Sequence, residues 1–376
     1  MDFLIKNGNV YDPARGVIEK RDIALHGGLI AVPEAGREYR QVVDASGCIV
    51  TAGLIDYHVH YFNRGAENSV NPDAGSFCCG ITTAVDGGSC GAGGYELYRR
   101  VMVMSDVRIL SDLLVASGGQ SNDRYPENLD PAYFDEGKIL ELFERYPDNL
   151  VGLKTRISKS IISPKDAAKS LKHTIEIAEK AKTRVVVHVT DCSLPLAELA
   201  DMLRPGDVMC HIYHSRGENT CLDENKKVHE GLFKARERGV IIDASNGRSN
   251  YDINVCKTAL EQGFTPDIIS SDINSGSFFL HPLHSLPRIL SKYLDLGMSL
   301  EAVLDTVTIA PARLINRPEL GSMSAGTPSD VCIFKLEQKP IKHEDIAGNT
   351  FIGSQILMPM MTFKDGKCMY CRADFC

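Results

Sequence analysis

The sequence predicts an α/β protein, a distorted (β/α)8 barrel with a small β-sandwich built from both chain ends. Three observations point there. Eight strand-like apolar runs alternate with helix-like segments through the middle of the chain. Both ends read as short strands and turns without helical periodicity, and polar residues recur at the C-terminal ends of the candidate strands. At 376 residues the chain exceeds the size at which one core usually stops growing. The boundaries fall at 1–52 and 323–376 for the two parts of the sandwich and at 53–322 for the barrel.

The elements follow in order. DFLIKNGNVYD turns at Asn7-Gly8, RDIALHGGLIAV is two pieces around Gly27-Gly28, and QVVDASGCIVTAG repeats the pattern. The eight barrel strands are GLIDYHVH (53–60), GITTAVDGG (80–88), VRILSDLLVASG (107–118), NLVGLKTR (149–156), RVVVHVT (184–190), DVMCHIYH (207–214), GVIIDAS (239–245) and DIISSD (267–272). Residues 164–181 and 224–239 carry apolar side chains at helical spacing. The C-terminal end returns to strands, SDVCIFKL and FIGSQILMPMMTFKDGKCMY, with a turn at Asp365-Gly366. An open doubly wound sheet is the structural runner-up, but it would want a Gly-rich phosphate loop. Gly91-Ala-Gly-Gly94 lacks the third spaced glycine and a following acidic partner.

Composition excludes several classes. With 43% hydrophobic and 24% charged residues and no tryptophan, the chain is ordinary for a globular protein. A net charge of −8 with interspersed signs leaves no basic stripe for nucleic acid. No run approaches the roughly 18 apolar residues that span a membrane, and MDFLIKNGNV lacks the profile of a secretion signal. A cytoplasmic location is expected. The twelve cysteines then read as reduced thiols, with Cys48, Cys210, Cys256 and Cys332 in apolar surroundings as small core residues. Cys368 and Cys371, with Cys376 nearby, have no second pair to complete a zinc site.

The chemistry lies at the strand ends, which form the mouth of such a barrel. His58 and His60 are two apart and share a face. Lys154 ends the fourth run, His188 the fifth, His211 falls late in the sixth and Asp272 closes the eighth. Taken singly, a strand histidine is usually a core or rim residue, a lysine after an apolar run a solvated edge, and a closing aspartate a helix cap. Their agreement in position is what packing does not explain. Strand alternation puts His214 on the face opposite His211. Arg156 shares the face of Lys154 and suits a substrate carboxylate, with a neighbouring loop acid as the alternative partner. Gly88, Ser89 and Gly91 end the second run in a loop near the mouth, as do His281 and His284 after the eighth.

Gly53-Leu-Ile-Asp56-Tyr-His58-Val-His60 resembles the opening metal motif of the amidohydrolase superfamily, and Ile269-Ser-Ser-Asp272 its eighth-strand aspartate. Thr308-Ile-Ala-Pro311 through Asp330-Val is similar to that superfamily's exit into a C-terminal β-domain. Gly80–Ser89, Val151–Arg156, Leu203–Asp207 and Leu286–Lys292 resemble a deacetylase subgroup acting on N-acetyl or O-acetyl carboxylic acids. The resemblance spans essentially the whole chain. It implies two divalent metals, zinc first among them. His58 and His60 would hold one with Asp272 nearby, and His188 and His211 the other. Lys154 would bridge them as a CO2-derived carbamate. A metal-bridging hydroxide would attack the carbonyl of a small-molecule amide or ester, with Asp272 passing the proton to the leaving group. One departure stands out: the subgroup's Gly-His-Gly turn is replaced by Ser245-Asn246-Gly247, which puts Asn246 where relatives present a histidine and so bears on substrate choice. Cyclic-amide hydrolysis, deamination of a heterocycle and a non-catalytic scaffold are the competing functions. A homo-oligomer is the expected assembly.

Overall fold

Both chain ends meet in one mixed sheet of eight strands in the computed structural model, which describes residues 2–13, 15–122, 124–278, 280 and 285–375. The N-terminal segment supplies β1 (Phe3–Asp12), β2 (Val17–His26), β3 (Leu29–Ala31), β4 (Gln41–Asp44) and β5 (Ile49–Ala52). The middle supplies β6 (Leu54–Val59), β7 (Ile81–Gly91), β8 (Arg108–Leu114), β9 (Leu150–Arg156), β10 (Arg184–His188), β11 (Val208–Cys210) and β12 (Ile241–Asp243). The chain closes with β13 (Val331–Glu344), β14 (Thr350–Lys364) and β15 (Lys367–Cys371).

The two ends are joined where β5 runs antiparallel to β13, with Val50 opposite Ile333. The strand order is β15-β14-β13-β5-β1-β2-β3, with β4 beside β1, so the ends form one continuous sheet rather than two separately paired ones. Its buried face carries Phe3, Ile5, Val50, Ile333 and Phe363, the Phe3 and Phe363 rings meeting edge-on at 4.9 Å. Alternation of buried and outward residues at period two selects this face. Cys371 is disulfide-bonded, which corrects the expectation that every thiol is reduced.

β6 to β12 form the second sheet, all parallel and each paired with its neighbour in sequence. Runs such as Val185-Val186-Val187 are buried on both faces, as a parallel sheet covered on each side requires. Seven of the eight expected runs are strands here; 267–272 is not. Its backbone nevertheless bonds to both edges of the sheet, through Ala244 N–H to Ile268 O (3.0 Å) and Asp272 N–H to His58 O (2.8 Å). The sheet is thus curled. The segment ends at Asp272, whose φ of +50° lies outside the extended region, as does Ser245 across the gap at +33°.

Pro164–Lys180 is helical as its periodicity predicts. The 224–239 segment is helical only over Glu230–Glu237. Ahead of it the Asp223 carboxylate accepts from the Asn225 and Lys227 amides, both at 2.8 Å, a local alternative that outcompetes helical bonding. No helix among the described residues is long and apolar enough to cross a membrane.

Candidate metal centre

Six side chains meet at the C-terminal ends of the curled sheet. His58 lies in β6, His60 just past it, Lys154 in β9, His188 at the end of β10, His211 directly after β11, and Asp272 between the sheet's two edges. All six line a cavity of about 370 Å³, and all are buried, Lys154 and His211 to 1% exposure. A larger cavity, about 750 Å³, holds none of them and opens beside Leu150, Thr183 and Gly206, at the opposite strand ends.

The geometry within the site is tight. His60 Nε2 stands 3.2 Å from Asp272 Oδ1, and His58 Nε2 3.9 Å from the same oxygen. The His188 and His211 rings are 4.4 Å apart, and those of His58 and His211 4.9 Å. Lys154 Nζ donates to His58 Nε2 and to Cys210 Sγ, each at 3.2 Å, and pairs with no carboxylate among the described residues. His211 has φ +69°, which breaks strand alternation, so Cys210 and His211 both turn toward the site. Cys210 is therefore more than the core thiol expected from its apolar neighbours. His214 is fully buried elsewhere, its Nδ1 accepting from the Arg216 amide at 3.1 Å.

Three outer hydrogen bonds aim the imidazoles. His60 Nδ1 meets Ser89 Oγ at 2.7 Å, and Ser89 gives its own hydrogen to Asp86 at 2.9 Å. His58 Nδ1 meets Ser245 Oγ at 3.1 Å, and Ser245 donates to Asp243. His211 Nδ1 donates to Ser245 O at 2.7 Å. In each case Nδ1 carries the hydrogen and the Nε2 lone pair points inward. Asp86 is itself held by the Tyr61 amide (2.7 Å), the Ser89 amide (2.7 Å) and Tyr98 OH (2.8 Å). Glycines make the room: a Cβ at Gly87 would lie 2.3 Å from the His58 ring, and one at Gly88 2.7 Å from the Lys154 side chain.

Burial pushes His58 and His188 well below the usual histidine range, helped by the Lys154 charge at His58 and the neighbouring His211 at His188. Burial likewise lowers His211 to about 3. For Asp272 burial alone would raise the carboxyl, but the His211, His60 and His58 rings outweigh it and hold it below its ordinary value. Imidazoles converging on a carboxylate in one buried wall are the donor set a divalent cation needs. His58, His60 and Asp272 place ligand atoms within 4.8 Å of one another, and so do His58, Cys210 and His211.

The expected substrate contacts divide. Arg156 is in the cavity wall, with Nη1 on Glu127 Oε1 at 2.5 Å, so the neighbouring acid does take part of it. Ser89 sits behind His60, outside the wall. Asn246 is fully buried, its side-chain amide bonded to Ser270 O and Lys292, and is also outside the wall. His281 and His284 lie outside the described residues. Sequence reasoning passed over Asp86, Asp243 and Ser245, and over Arg216, which lines the cavity without an ion pair among the described residues.

The sequence profile of the amidohydrolase family matches residues 148–369, and the chain belongs to that family. A protein of Brucella anthropi named deacetylase is 29% identical over 313 residues, which is 82% of this chain and 76% of that protein. A crystal structure described as an adenine deaminase superposes with a TM-score of 0.90 at 24% identity, covering 99% of this chain and 100% of that one. One described as a dihydroorotase gives 0.89 at 26% identity, covering 98% of each.

Proposed function

We propose that the chain is a metal-dependent hydrolase that cleaves the amide or ester bond of a small acylated carboxylic acid, acetyl being the acyl group that the deacetylase relatives suggest. The observation that carries this reading is the convergence of three inward-facing imidazoles, His188, Lys154 and the Asp272 carboxylate on one cavity wall. In this reading 267–272 serves as the eighth strand of a distorted (β/α)8 barrel spanning 53–322, with 1–52 and 323–376 as the second domain.

His58, His60 and Asp272 would hold one divalent ion, zinc by donor type, and His188 and His211 the second, with Lys154 between them as a carbamate. An ammonium is a poor neighbour for dications, whereas a carbamate is a bridging anion. Bound there, the ions would supply Lewis acidity and ready access to hydroxide at neutral pH. Asp272 acts as the proton carrier. Asn250 Nδ2 donates to its Oδ2 at 2.9 Å, which holds the carboxylate in place to take a proton from water and return it to the leaving amine or alkoxide. The substrate carboxylate pairs with Arg216, whose guanidinium is otherwise unneutralised among the described residues, and with the part of Arg156 that Glu127 does not engage.

The test is a product screen across N-acetyl-D- and L-amino acids, O-acetyl hydroxy acids, dihydroorotate, hydantoins and amino-heterocycles. Acetate release is the expected outcome. Ring opening without acetate release would favour the second reading, a cyclic amidohydrolase, which the dihydroorotase-like structure supports. Ammonia as the sole product would sink both.

A further inference from the structure

Lys292 is a buried amine that forms no ion pair among the described residues. It lies on the helix Leu286–Asp295 at 6% exposure, and no carboxylate among the described residues is within ion-pair distance. Its Nζ donates to Asn246 Oδ1 at 2.8 Å and sits 3.5 Å above the Tyr251 ring, with Tyr293 at 5.8 Å. Burial pulls its pKa down to about 7, so the amine is costly to keep there. Cation–π contact repays only part of that. A methionine would fill the same space without the cost, and the position therefore needs a reason that packing does not supply.

Asn246 provides the reason. Its Nδ2 donates to Ser270 O at 3.2 Å and its backbone amide donates to the same oxygen at 3.0 Å, while the Gly247 amide bonds Ser271 O at 3.1 Å. These bonds clamp the segment carrying Ser245 to the segment carrying Asp272. One residue before Asn246, Ser245 holds His58 through its hydroxyl and His211 through its carbonyl. Two residues past Ser270 comes Asp272. Both Ser245 and Asp272 have positive φ, a conformation that surrounding bonds must enforce. An asparagine amide has two different ends, and turning it over would face Oδ1 against Ser270 O. Lys292, which has hydrogens to give whether charged or neutral, keeps Oδ1 on its own side and Nδ2 on Ser270.

We propose that Lys292 is a positioning residue of the metal centre: by orienting the Asn246 amide it locks the Ser245 turn to the Asp272 segment and sets the spacing of His58, His211 and Asp272. This inference rests on the metal-centre reading above. It also accounts for the asparagine that replaces the histidine of the related Gly-His-Gly turn. Here the side chain faces Lys292 and the protein interior, away from the cavity.

The experiment compares the full-length wild type with Lys292→Met, Lys292→Arg, Asn246→Ala and the Lys292→Met/Asn246→Ala double variant. Affinity for Co(II) is measured by chelator competition, the Co(II) absorption spectrum is recorded, and the fold is checked by circular dichroism. Each of Lys292→Met and Asn246→Ala weakens Co(II) binding by about 10–100-fold and alters the spectrum, the range typical for outer-shell partners. The double variant is no weaker than the worse single one, because both changes break one connection. Lys292→Arg, which keeps donors for Asn246, regains most of the affinity. Wild-type affinity and spectrum in folded Lys292→Met or in Asn246→Ala overturn the proposal, as does a double variant whose loss is the product of the two. If Lys292→Met does not fold, Asn246→Ala and Lys292→Arg decide by the same criteria. A wild-type protein that takes up no Co(II) instead overturns the metal-centre reading itself, so the two failures are distinct.

Discussion

Replacing Gly247 by alanine places a methyl group where the Asp272 carboxylate now lies. The added Cβ would stand 2.3 Å from Asp272 Oδ2 and 3.0 Å from Asn250 Nδ2, against an ordinary contact that begins at 3.4 Å. The carboxylate must therefore retreat by about 1 Å, since 3.4 less 2.3 is 1.1. A misplacement of about 1 Å at a reacting group costs on the order of 100-fold in rate. Gly247 also has φ +53°, where a residue with a Cβ pays about 1–2 kcal/mol. Gly247→Ala is expected to lower kcat about 100-fold on the best substrate of the screen while stability in urea falls by only about 1–2 kcal/mol. Steady-state kinetics and equilibrium urea unfolding on the same preparation separate the two effects. Wild-type kcat in a folded Gly247→Ala protein would refute the placement of Asp272 as the proton carrier beside this glycine.

Other perturbations address other parts of the site. Asp272→Asn keeps the cavity's shape but removes the proton acceptor; it should retain most bound metal by elemental analysis and lose about 100-fold or more in kcat, within the range of general-base contributions. Arg216→Met should raise KM for carboxylate substrates at least about tenfold, the loss of a charge-assisted hydrogen bond, with kcat little changed, and should do so more than Arg156→Met, whose guanidinium already answers Glu127. A larger effect from Arg156→Met would reverse their assignment. Lys292 makes a pH prediction. Burial lowers its folded pKa to about 7 from 10.5, so below pH 7 both states hold the proton and the burial cost is full; between 7 and 10.5 the unfolded chain binds more protons and stability rises with pH. Cys256, Asp345 and Arg288 are the charged or titratable groups acting on it, and the Tyr251 and Tyr293 rings face it. The stability gain from pH 7 to 9, followed by urea unfolding, should be smaller in Lys292→Met than in wild type, and an equal gain would show that Lys292 does not titrate there.

The apolar runs told most of the fold because a parallel sheet buried on both faces demands them. Seven of those runs contain strands, although 207–214 and 239–245 keep only the short Val208–Cys210 and Ile241–Asp243. The run at 267–272 does not, and the left-handed backbone at its end, Asp272, and at Ser245 opposite is announced by no side-chain pattern. The ends were readable as strands, but their merger into one continuous sheet depends on the β5–β13 pairing, a contact between residues 49–52 and 331–334 that no local signal encodes. In the site, His58, His60, Lys154, His188, His211 and Asp272 could be picked out because each ends an apolar run. Their supports could not. Asp86 and Ser89 sit in an Asp-Gly-Gly-Ser stretch and Asp243 and Ser245 in an Asp-Ala-Ser stretch, both of which read as turns. Lys292 lies in an amphipathic helix, where a lysine normally marks the solvated face; only the packing of that helix shows it buried. Cys210 looked like core because its neighbours are apolar, and the positive φ at His211 is what brings it to the site.

Metal content per chain is the most direct measurement. Protein prepared without chelators and supplied with zinc and bicarbonate should carry close to two ions by elemental analysis, and Lys154→Met should fall to about one or fewer. Wild-type protein that stays metal-free under those conditions, or a Lys154→Met variant that binds as many ions as wild type, would contradict a centre built from these six side chains.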